Sequence, residues 1–131
     1  MKVQWSDDLS IGIGIIDDQH KKLVERIASF IDAVDIEDMQ TIEETINYLV
    51  GYAIQHFGAE ELIMIRNGYK DFKNHRDEHS YFIKMVYDIH IDLSSGNIQL
   101  EQIQSFSEEL VLWIVHHIKV SDRQIAEEIR F

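Results

Sequence analysis

WIVHHIKVSD, residues 113–122, sets two histidines side by side near the end of a long apolar run. Successive residues of a helix point about 100° apart, so only one of His116 and His117 can face a core squarely. The flanking pattern decides which. In alternating steps of three and four, positions 103, 106, 110, 113, 117, 120 and 124 run Ile, Phe, Leu, Trp, His, Val, Gln. His117 falls in register with Phe106, Leu110 and Trp113, whereas His116 shares its face with Glu109, Lys119 and Arg123.

Three more helical stripes precede this one, each interrupted by polar residues. Positions 16, 20, 23, 27, 30 and 34 are apolar except for His20. Positions 42, 46, 49, 53, 56, 60 and 63 are apolar except for His56 and Glu60, and 72, 75, 79, 82, 86, 89 and 93 are interrupted by His75 and His79. Asp17 or Asp18, Asp38 and Asp71 are placed to start helices, Asn67 and Gly68 to stop one, and SSGN at 94–97 to form a turn. Ile11, Ile13 and Ile15 alternate with small residues, which suits an extended arm packed across the helices. The expectation is an all-α fold: an antiparallel up-and-down four-helix bundle, one domain over 1–131, with an N-terminal arm at 1–17 and helices at about 18–36, 39–66, 71–94 and 99–125.

Composition narrows the function. A net charge of −12, from 24 acidic and 12 basic residues, argues against nucleic acid and anionic membrane surfaces as partners. No stretch approaches the 18 or so apolar residues of a membrane span, and the N-terminus lacks a signal-like apolar segment, so a cytoplasmic location is expected. There is no cysteine, which leaves His, Asp and Glu as the available metal ligands, and there are seven histidines. No proline interrupts the helices.

The polar interruptions fall in one layer. Residues equally far from a hairpin turn lie at the same height, and His20 and His56 are each 18 residues from Asp38. His75 and His117 are each 21 residues from Gly96. One histidine on an apolar face is ordinarily a core residue with one hydrogen bond. Five, with a glutamate, would leave many donors and acceptors unpaired, at about 1–3 kcal/mol for each group. A metal relieves this by taking the lone pairs. Five nitrogens exceed the need of one tetrahedral zinc, and two ions bridged by carboxylates fit the count better.

W5, GIGIIDDQH (12–20), HFGAEELIM (56–64), GYKDFKNHRDEH (68–79) and WIVHHIKVSD (113–122) together resemble the haemerythrins, specifically the single-domain bacterial haemerythrins. The resemblance implies two non-haem iron ions joined by an oxo or hydroxo bridge, with dioxygen as the ligand. It implies that His75, His79 and His117 hold one iron, that His20 and His56 hold the other, and that Glu60 and Asp122 bridge them. Where the family often has proline after its Gly-Tyr, this chain has Lys70. Asp122 enters through the resemblance alone. Five residues beyond His117, it lies about 140° around an ideal helix, and a π-bulge between 117 and 122 would bring both to one side.

Phe57, Trp113, Ile114 and Ile118 are candidates for the wall of the oxygen pocket. The implied function is reversible dioxygen binding by a carrier, store or sensor rather than an enzyme. The alternative is a di-iron oxidase or peroxidase. Ferritin-like sites of that kind use Glu-x-x-His pairs, and no such pair occurs here. A freestanding carrier or store is expected over the sensor domain of a receptor. His90 and His116 fall on outer faces and are assigned no metal. No protein recipient of oxygen or signalling partner is assigned.

Overall fold

The computed structural model describes residues 3–129; Met1 and Lys2 of the expected arm, with Arg130 and Phe131, lie outside the described residues. Four long helices, α1 (Gly14–Asp35), α2 (Met39–Arg66), α3 (Phe72–Ser94) and α4 (Leu100–His116), form an antiparallel up-and-down bundle. A π-helical turn (His117–Asp122) leads from α4 into a short α5 (Arg123–Glu128). Among the described residues there is no strand, and no helix is long and apolar enough to cross a membrane.

Local chemistry sets the boundaries. Asp38 caps α2, accepting from the Thr41 backbone N–H at 3.2 Å and the Thr41 hydroxyl at 2.6 Å. Asn67 ends α2, and Gly68 follows at φ +61°, a left-handed conformation that glycine adopts without cost. Gly96, at φ +73°, turns the chain from α3 towards α4. There the Gln99 N–H donates to the Gln102 side chain at 2.7 Å. Asp71 precedes α3 without a side-chain cap bond; its carboxylate accepts from the Asn74 amide at 2.7 Å.

Two expectations need correction. α1 starts at Gly14 rather than near 18, and neither Asp17 nor Asp18 caps it. Asp17 instead ties the arm to the helix, accepting from the Ser10 hydroxyl at 2.5 Å and the Ile11 N–H at 2.8 Å. The alternating pattern therefore ends early: Ile11 is buried, whereas Ile15 is already helical and 68% exposed. On α4 the inward stripe departs from its expected course after Leu110. Val120 is 50% exposed, Trp113 and Gln124 are half-buried, and Ile114, Ile118, Ser121, Asp122 and Ile125 are buried. The π-turn adds a residue to the helical repeat and so rotates the inward face.

The arm crosses this end of the bundle. Leu9 is buried, the Lys119 ammonium lies 2.9 Å from Asp8, and Arg123 donates to the Asp8 and Ser10 carbonyls. Away from it, Phe30, Ile42, Ile46, Leu49, Phe82, Val86 and Leu110 are sealed from solvent in one apolar core.

Ile46→Ala should lower the unfolding free energy by about 2–5 kcal/mol through transfer and cavity terms. Ile54→Ala, on the exposed face of the same helix, should change it by less than about 0.5 kcal/mol. Urea denaturation of the two variants checks the assignment of faces.

Candidate metal centre

His20 comes from α1, His56 and Glu60 from α2, His75 and His79 from α3, and His117 and Asp122 from the two ends of the π-turn. The bundle brings all seven together, each no more than 2% exposed. They form two overlapping sets, Glu60–His75–His79–His117–Asp122 and His20–His56–Glu60–Asp122, in which one donor atom per residue lies within 4.8 Å of the others. Asp122 takes its place because it closes a six-residue π-helical turn, not an ideal α-turn, that begins where α4 ends.

Each carboxylate faces both ways. Glu60 Oε2 lies 3.5 Å from His20 Nε2 and 3.3 Å from His56 Nε2, while Glu60 Oε1 lies 3.0 Å from His79 Nε2. Asp122 Oδ2 lies 3.0 Å from His20 Nε2, while Oδ1 lies 3.1 Å from His75 Nε2 and 3.2 Å from His117 Nε2. Despite this proximity, all four carboxylate oxygens and the Nε2 atoms of His20, His56 and His75 are buried without completing a hydrogen bond. Polar atoms converge there without pairing. Five imidazoles and two carboxylates sharing such a focus suit hard or borderline cations, and the donor set fits iron.

The outer ring nitrogens have partners that the sequence pattern did not reveal. His56 Nδ1 lies 2.6 Å from Gln19 Oε1, His79 Nδ1 3.2 Å from Glu61 Oε2, and His117 Nδ1 2.9 Å from Glu78 Oε1. An Nδ1–H donated outward fixes the tautomer that leaves the Nε2 lone pair pointing inward. Glu78 also accepts from the Ser121 hydroxyl at 2.7 Å, bracing the π-turn. The signal available in the sequence was adjacency: Gln19, Glu61 and Glu78 each sit beside a residue of the inner cluster.

The electrostatics follow from the two acids. Burial opposes the charged form of His20, yet Asp122 and then Glu60 outweigh it and raise this imidazole to about 9. The same contest raises His75 to about 8, through Asp122 and Glu60, and His117 to about 10, through Asp122 and Glu78. Burial alone would raise both acids, but the surrounding histidines hold Glu60 and Asp122 below their ordinary values.

The four expected wall residues divide. Phe57 stacks on His79 at 3.9 Å and 2°, and Trp113 on His117 at 4.5 Å and 12°. Both thus cover rings of the three-histidine half. Ile114 and Ile118 are fully buried in the core beside them in sequence. The ring stacked on His56 belongs to Tyr52, at 5.5 Å and 16°, a residue the stripe pattern left out. His116 is exposed and His90 half-buried, both apart from the cluster.

A helical bundle with a histidine-rich, two-carboxylate layer for cations defines a class, and comparison with known proteins identifies it. Residues 11–129 match the family model described as Hemerythrin HHE cation binding domain, and the chain belongs to the haemerythrin family. It is 32% identical over 126 residues to the bacteriohemerythrin of Pseudomonas aeruginosa, covering 96% of this chain and 80% of that protein. It is 32% identical over 124 residues to the bacteriohemerythrin of Clostridium acetobutylicum, covering 92% and 95%. The crystal structure of a wild-type hemerythrin superposes with a TM-score of 0.86 at 25% identity, covering 95% of both chains.

His117→Ala should abolish or severely weaken iron binding while His116→Ala leaves it intact, because only His117 points into the cluster; metal analysis after iron-replete expression reads the difference. Protonation supplies a second prediction. With folded values raised to about 9, 8 and 10, His20, His75 and His117 should carry protons at pH 7 in the metal-free chain. Loading iron should then release protons, measurable in weak buffer. Because these values lie above the unfolded 6.5, their contribution to metal-free stability is full below pH 6.5 and lost as pH rises through about 8–10. Urea midpoints of the chelated protein should fall across that window.

Proposed function

We propose that this chain binds dioxygen reversibly at a di-iron centre. In this reading His75, His79 and His117 hold one iron, His20 and His56 hold the other, and Glu60 and Asp122 span the pair. The carrying observation is the sharing of Glu60 and Asp122 by two clusters, with opposite oxygens of each carboxylate facing opposite histidine sets. His75, His79 and His117 would give one cation three imidazole donors, and Glu60 and Asp122 would each offer it one carboxylate oxygen. His20 and His56 would give the other cation one protein donor fewer, and that half would keep a position open for dioxygen. A pair of ferrous ions, when bound, would supply the electrons with which dioxygen is held.

The protein's own contribution is to position the donors and keep bulk water away. Gln19, Glu61 and Glu78 fix the outer nitrogens. Phe57 and Trp113 cover the His79 and His117 rings, and Ile114 and Ile118 fill the neighbouring core. Such a shell limits solvent access to the three-histidine half, while the Tyr52 ring covers His56 on the other. The proposed wall offers no acid or base for a second substrate, which favours carriage, storage or sensing over oxidation chemistry.

Iron-loaded protein should contain two irons per chain. Stopped-flow mixing of the anaerobically reduced form with dioxygen, followed by removal of the gas, should return the diferrous spectrum. Rapid irreversible oxidation coupled to consumption of a reductant would favour the oxidase reading instead.

A further inference from the structure

The outer hydrogen bonds form a directional series around the bundle. Gln19 on α1 meets His56 on α2, Glu61 on α2 meets His79 on α3, and Glu78 on α3 meets His117 at the start of the π-turn. Each strap residue adjoins a member of the inner cluster on its own helix and reaches a histidine contributed by the next. The series is chemically uneven. The two straps on the three-histidine half are carboxylates, the strap on His56 is a neutral amide, and His20 Nδ1 is buried with no partner at all.

That difference has an electronic consequence. An imidazole donating its Nδ1–H to a carboxylate becomes a stronger donor through Nε2 than one donating to an amide. We infer that Gln19 is a positioning residue that holds His56 in its metal-binding tautomer without supplying negative charge, so that the two halves of the centre differ in electron richness. This rests on the two-iron reading above. The histidines strapped by Glu61 and Glu78 favour the ferric state of their iron. The iron on His20 and His56 stays the more Lewis-acidic of the pair, which suits the half with the open position.

Gln19 is itself held in place. The Tyr52 hydroxyl donates to its backbone carbonyl, and the Tyr52 ring lies against His56. One tyrosine therefore contacts both members of the strap. A carboxylate at position 19 would fit the same 2.6 Å contact with little change of shape, which makes charge separable from geometry.

The test compares Gln19→Glu, Gln19→Leu and Glu78→Gln with the parent chain. In spectroelectrochemical titration of the iron-loaded proteins, Gln19→Glu should shift the midpoint potential downward, and Glu78→Gln should shift it upward. Gln19→Leu should weaken cobalt(II) binding about 10–100-fold, with Gln19→Glu retaining it. A purely structural role would alter melting temperature while leaving the midpoint in place, and an unmoved or raised midpoint in Gln19→Glu overturns the inference. A separate readout needs no iron: nitrogen-15 NMR of the metal-free chain should show His56 protonated at Nδ1, with that population reduced in Gln19→Leu. His56 protonated at Nε2 instead would also overturn it. If the parent chain loads fewer than two irons, the di-iron reading fails on metal analysis, whatever the NMR shows for the strap.

Discussion

Glu60 and Asp122 lie wholly inside an apolar bundle, ringed by imidazoles, and none of their oxygens completes a hydrogen bond. Burying an ion costs several kcal/mol even after relaxation, and unpaired acceptors add to it. The rest of the architecture is organised around that cost. Every long helix sends at least one histidine towards the pair, or leads directly into a turn that does. Positive charge on the neighbouring histidines offsets part of that cost in the metal-free chain, and bound cations would replace it. The same layer that would weaken an ordinary core thus becomes a specific sink for positive charge.

A regular helix could not deliver both His117 and Asp122. Their separation places them about 140° apart on an ideal α-helix, and the sixfold π-turn from 117 to 122 removes the conflict. It has a visible consequence, because Val120 is turned out to solvent while Ile118, Ser121 and Asp122 face inward. π-turns are uncommon and cluster at functional sites. This one is secured by a single carboxylate, Glu78, which accepts from both His117 and Ser121. The arm adds a second restraint through Asp8 and Ser10, which meet Lys119 and Arg123.

The bundle and its inner layer were largely legible because both depend on a period. Apolar positions three and four residues apart gave the helices, and His20, His56, Glu60, His75, His79 and His117 showed as polar gaps in them. What escaped obeys no stripe. Asp122 needs a change of helical pitch, and α1 begins four residues early because Asp17 serves the arm rather than the helix end. Gln19, Glu61 and Glu78 sit one residue from an inner position, hence about 100° around the helix. Such positions look like solvated flank until the neighbouring helix is in place.

That offset explains why the outer partners can do what the inner residues cannot. A residue on the stripe points at the centre of the bundle, whereas one turned by about 100° points along the seam with an adjacent helix. It can then reach the far nitrogen of the neighbour's histidine without entering the cluster. Glu61 and Glu78 remain partly exposed, at 26% and 37% of their side chains, so they carry charge at little desolvation cost. Exposure at the seam and dryness at the centre are complementary: one supplies the charge that strengthens the donors, and the other keeps the donors' lone pairs for the cations.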